Sequence, residues 1–123
     1  MHRMRLLVWL LYAVFGLTTS AGATTPTTRK ECLEARDFIE NAAKSRDNGY
    51  SREFLLRRFE DDVIVLSGMH PEKRWFIRSP EATRFLREAL TEVFAKKKKP
   101  KDHGAAFLDS CVANLLMISP EDL

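Results

Sequence analysis

Few residues in this sequence have types and spacings suited to chemistry. They are Cys32 and Cys111, His70 and His103, the acidic triplet Glu60-Asp61-Asp62, and the run Lys96-Lys97-Lys98-Lys99-Pro100-Lys101. Two thiolates fall short of a four-sulfur zinc site, and no Cys-x-x-Cys offers a dithiol redox centre. A nucleophilic triad needs Ser or Cys, His and a carboxylate brought together by the fold. Met69-His70-Pro71 and Asp102-His103-Gly104 instead read as loops carrying ordinary surface histidines. An EF-hand-like loop needs acids at alternate positions, a central Gly and a distal Glu. Three consecutive acids on a helix point in different directions, so Glu60-Asp61-Asp62 reads as a solvated stretch, compensated by Arg57-Arg58. No catalytic residue, metal or cofactor is expected.

Where the chain is sent decides how the lysines and cysteines are read. His2, Arg3 and Arg5 make a basic start, and an apolar run of about twelve residues follows from Leu6 to Leu17. Small residues then lead to Ala21-Gly22-Ala23. That is the layout of a secretory signal peptide over 1–23, cut after Ala23. A spanning helix needs roughly twenty apolar residues, so the processed chain is expected not to span a membrane. The expected destination is the periplasm or the exterior. Loss of Arg3 and Arg5 takes Lys+Arg from 20 to 18 against 17 Asp+Glu, so the net charge falls from +3 to +1. A nearly neutral domain makes no global case for nucleic-acid binding.

On an exported chain, Lys96, Lys97, Lys98, Lys99 and Lys101 suit an anionic lipid surface or another polyanion. The competing reading is a solvated helix end. No aromatic interleaves the run, so bases have no stacking platform and no specific nucleic-acid partner is expected. Two Cys near opposite ends of an exported domain pair as one disulfide, with two buried free thiols as the alternative.

The elements that must position these residues read as helices. With 123 residues, 45% apolar and only five Gly and five Pro, the chain supports one domain and no many-turned β-sandwich. A flexible leader over 24–30 precedes a helical domain over 31–118 and a mobile tail over 119–123. Cys32, Ala35, Ile39 and Ala42 form an apolar stripe on a helix from Lys30 to Asp47. Lys30/Glu34, Arg36/Glu40 and Glu40/Lys44 are candidate i,i+4 ion pairs on its wet face. Ser51 can cap a second helix reaching Ser67-Gly68, although Val63-Ile64-Val65 leaves a strand open. Trp75, Phe76 and Ile77 belong to a loop over 68–79, as core or as an exposed binding patch. Ser79-Pro80-Glu81 is a strong helix start. Lys96 to Lys99 follow that helix, where positive charge suits its C-terminal dipole. Pro100 and Gly104 bound a linker, and Ala105 to Ile118 form the last helix.

Between the first two helices the chain reads Arg46-Asp47-Asn48-Gly49. With a Cys near each end of the domain, this Arg-Asp-x-Gly turn resembles a loose group of small exported bacterial α-helical proteins of unknown function. The resemblance spans roughly Cys32 to Cys111 and implies architecture and location, not mechanism. Arg46, Asp47 and Gly49 are expected to brace the interhelical turn. The expectation is therefore an all-α bundle of about four helices clamped by Cys32–Cys111. Its expected role is non-enzymatic, exported and directed at an unidentified protein partner. Anionic-surface binding and an acid-stress periplasmic chaperone, the latter similar in size and outline only, are the alternatives.

Overall fold

A computed structural model describes residues 27–118. The expected signal peptide over 1–23, the first residues of the leader and the tail over 119–123 lie outside the described residues. Helix α1 spans Arg29–Asp47, α2 Arg52–Ser67, α3 Pro80–Ala95 and α4 Pro100–Ile118. Two short 3-10 turns, Pro71–Lys73 and Trp75–Ile77, join α2 to α3. No strand occurs among the described residues, so the chain is the expected all-α bundle of four helices.

Helix α1 begins earlier than the leader boundary allows, because Thr28 and Glu31 close a capping box. Glu31 N–H donates to Thr28 Oγ1 at 3.2 Å, and Thr28 N–H donates to Glu31 Oε1 at 3.0 Å. Its buried stripe is Cys32, Ala35, Ile39, Ala42 and Ala43. None of the three i,i+4 pairs expected on α1 closes. Arg36 turns to Asp37 at 3.1 Å, and Glu34 accepts instead from Trp75 Nε1 at 2.8 Å. Gly49 ends the turn at φ +98°, a conformation that an L side chain rarely adopts.

Ser51 caps α2 by accepting from Phe54 N–H, and Val63-Ile64-Val65 is helical. A strand there has no partner, since Trp75-Phe76-Ile77 forms a 3-10 turn. Phe76 and Ile77 are buried, and Phe76 lies 5.9 Å from the Phe107 ring and 6.4 Å from the Phe85 ring. The aromatic segment is core for those two residues; Trp75 is half-buried at φ +57°, anchored by Glu34. Helix α3 starts with Pro80 after Ser79, whose Oγ accepts from Ala82 N–H at 3.1 Å. Leu86, Leu90 and Val93 on its inner face are fully buried, each stabilising by about 2 kcal/mol.

The expected linker between Pro100 and Gly104 is wrong. Pro100 is the first residue of α4, where its missing N–H costs nothing. Gly104 lies inside the helix because α4 presses on α1 there. A Cβ at Gly104 would stand 2.5 Å from Glu40 Cγ and 2.7 Å from its Oε1. The helix continues as a buried stripe of His103, Phe107 and Cys111. Cys111 reaches Cys32 with a Cα–Cα separation of 5.9 Å, and the two are joined in a disulfide.

Candidate functional site

The lysine run occupies the connection between α3 and α4, and its shape is set from inside. Arg46, in the last turn of α1, reaches past its own turn into this loop. Its Nη1 donates to the Val93 carbonyl at 2.7 Å, and its Nη2 donates to the Lys98 carbonyl at 2.8 Å. Asp47 holds the guanidinium from the other side, accepting from Nε at 3.0 Å and Nη2 at 2.8 Å. Only 12% of the Arg46 side chain is exposed. Arg46 and Asp47 thus brace the 96–99 loop through their side chains, while the turn is closed by Gly49 N–H donating to the Arg46 carbonyl at 3.0 Å.

His103 completes the support. It is buried, where a surface loop residue was expected. Its Nε2 lies 2.7 Å from the Lys96 carbonyl, which requires Nε2 to carry the proton and donate. Arg46 Nη1 approaches the same nitrogen at 3.3 Å, but two donors face each other there and no hydrogen bond forms between them. The signal for this burial is in the sequence, because His103, Phe107 and Cys111 repeat at i, i+4 and i+8.

With the carbonyls of Val93, Lys96 and Lys98 turned inward, the lysine side chains face water. An open concavity of about 490 Å³ is lined by Arg46, Asp47, Lys97, Lys98, Lys99 and Pro100. Lys96 donates from Nζ to Glu92 Oε1 at 2.8 Å. That hydrogen bond, helped by the charges of Lys96, Lys98 and His103, holds the Glu92 carboxyl below its ordinary value, with partial burial opposing. Among the described residues, Lys97, Lys98, Lys99 and Lys101 have no carboxylate within 4 Å. Lys101 sits in the first turn of α4, one residue beyond Pro100.

This placement works against the expected dipole benefit. The run follows the negative end of α3, yet it also crowds the positive end of α4, where cations are disfavoured. Four unpaired ammonium groups therefore add to the helix potential, which Asp102 in the same first turn offsets in part. An anion there would neutralise both.

A second cleft, of about 200 Å³ between α3 and α4, holds Glu88, Glu92, His103 and Ser110. Ser110 and His103 are two turns apart on one helix, roughly 10 Å of rise, so the imidazole cannot take the hydroxyl proton. Glu60 of the acidic triplet pairs with Arg87 at 2.5 Å, while Asp61 and Asp62 are exposed. His70 is exposed in the connection after α2. Among the described residues, no three His, Cys, Asp or Glu side chains group to hold a metal ion. Nor is any described helix long and apolar enough to cross a membrane. No protein-family model, characterised protein or solved structure matches the chain.

Proposed function

We propose that this chain is an exported, non-enzymatic interaction protein that meets a phosphate-bearing anionic surface through Lys97, Lys98, Lys99 and Lys101. The observation that carries the reading is the concentration of unpaired positive charge at the N-terminus of α4. Arg46 and His103 fix the loop backbone, so little conformational entropy is lost when the lysines are engaged. Export is supported by the basic, apolar and small-residue segments over 1–23 and by the disulfide.

Vesicle flotation with the disulfide-intact chain tests this reading. Phosphatidylglycerol vesicles should retain the chain while neutral phosphatidylcholine vesicles do not. Binding should fall at least tenfold between 50 and 300 mM salt, and by as much on replacing the four lysines with Gln. Competition by soluble polyphosphate separates a general polyanion site from one that needs a membrane plane. Equal binding to neutral vesicles, or indifference to the four replacements, would overturn the reading.

A further inference from the structure

Helix α2 leaves an unusual outer face. The large apolar side chains exposed among the described residues are Tyr50, Phe54, Ile64, Val65 and Met69, all on α2 or at its ends. Phe59 is the single buried residue of α2, packed between Phe38 of α1 and Arg87 of α3. On the outward side, Phe54, Arg58, Asp61 and Val65 follow a 4-3-4 spacing, the seam of a helix that packs against another helix, with Arg58 at its edge beside the cleft toward α1. Tyr50 extends the seam at one end, its ring 5.3 Å from Phe54, and Met69 extends it at the other. Ile64 flanks it. Arg58 and Asp61 at the centre are exposed, and among the described residues neither has an opposite charge within 4 Å.

The order along the seam is apolar, cation, anion, apolar, so the pattern is complementary to its own reverse. In an antiparallel pair related by a two-fold axis, each residue faces one equally far from the axis. An axis midway between positions 59 and 60 sets Phe54 against Val65, Arg58 against Asp61, and Tyr50 against Met69, each pair twice. A single axis position satisfies all three pairings. A parallel pair would instead stack Arg58 on Arg58.

We propose that α2 is a homodimerisation helix and that its partner is the α2 of a second copy in this antiparallel register. The proposal is independent of the lysine reading. A helix of 16 residues is roughly 24 Å long and buries less than the roughly 1,200 Å² of a standard interface, so the dimer is weak and reversible.

Sedimentation equilibrium on the disulfide-intact chain, from 10 µM to 1 mM, tests it with charge reversals. Wild type should dimerise. Arg58→Asp alone and Asp61→Arg alone each place like charges together twice, and should raise Kd at least tenfold. An equimolar mixture of the two variants restores opposite charges at both contacts and should associate as wild type does. Both positions are exposed, so unchanged circular dichroism should verify folding of each variant. A wild type that stays monomeric to 1 mM, a dimer indifferent to the single reversals, or folded variants that fail to associate when mixed would each overturn the proposal.

Discussion

Helices α1 and α2 show how differently two elements of one small bundle can be held. Helix α1 lends five buried residues to the core, is tied to α4 by Cys32–Cys111, and sends Arg46 into the far loop. Helix α2 lends one buried residue, Phe59, with Leu55, Leu56, Val63 and Leu66 half-buried against the core. Its remaining ties are partial: Glu60 pairs with Arg87, the Arg87 guanidinium lies 5.8 Å from the Phe59 ring centroid, and Phe38 meets Phe59 at 6.1 Å. The contrast teaches that stability here is graded. The α1–α4 pair should open only with global unfolding, whereas α2 can detach locally at lower cost.

Reducing the disulfide attacks the strong side and should have the largest effect. Cys32 and Cys111 close a loop with a sequence separation of 79. The chain-entropy model gives such a bond about 4.5 kcal/mol, a large share of the roughly 5–15 kcal/mol of a small domain. The urea midpoint should fall by about 2 to 4 M. Helix content in the native baseline should change little, because each helix keeps its own apolar stripe. A midpoint unchanged by reductant, with reduction verified by mass, would mean that packing alone holds α1 to α4.

Phe59→Ala attacks the weak side. Truncating a buried Phe costs about 3 kcal/mol, and here it removes the main apolar anchor of α2. Hydrogen exchange should rise sharply in Arg52–Ser67, while amides of α1 and α4 keep most of their protection. Uniform loss of protection across all four helices would erase the proposed gradient.

The same contrast explains what the sequence revealed. Helix α1 and helix α3 carry long apolar stripes with polar caps, and these signals are local, so element type was legible. The disulfide was legible from cysteine placement and the expected compartment. What failed was non-local. Pro100 and Gly104 carry breaker chemistry, and only the close approach of Glu40 explains a glycine inside α4. Arg46 lies next to the Gly49 turn in sequence, yet the carbonyls its guanidinium holds are 47 and 52 residues away. An arginine that reaches across a bundle leaves no periodic trace. The lysine run was visible, but its position at the start of a helix was not, and that position changes its electrostatics.

Arg46→Ala should have an intermediate effect. It removes two hydrogen bonds to the carbonyls of Val93 and Lys98 and leaves a hole beside His103, costing about 2 kcal/mol. Loosening should concentrate in residues 96–99, read as raised hydrogen exchange there, with α2 unaffected. Arg46→Lys should recover little, since one ammonium cannot replace a guanidinium bound at both ends. A variant as stable as wild type would show that the brace is incidental.

The smallest effect is a pH dependence that the two regions share with the same sign. Glu92, beside the braced loop, is lowered from its ordinary value of 4.5, chiefly by the hydrogen bond from Lys96. Glu53, in the first turn of α2, is lowered by a backbone hydrogen bond and then by Arg52. A carboxyl depressed in the folded state contributes stability that is fully present above its unfolded value. That contribution is lost as pH falls through the lower, folded value. Acid therefore weakens both sites, and neither gains anything between pH 6 and 8. The Glu92 side chain is 49% exposed, so screening limits its contribution to a few tenths of a kcal/mol. Glu92→Gln should be slightly less stable than wild type at pH 7, and the two should converge as acid protonates the Glu92 carboxyl in the folded state. Glu53→Gln should show its loss as fraying at the start of α2 rather than as a global shift, because that helix opens on its own. Urea titrations at pH 7 and pH 3, read with hydrogen exchange at Arg52–Leu56, separate the cases. A Glu92→Gln deficit that grows on acidification would reverse the sign and rule out Lys96 as its cause.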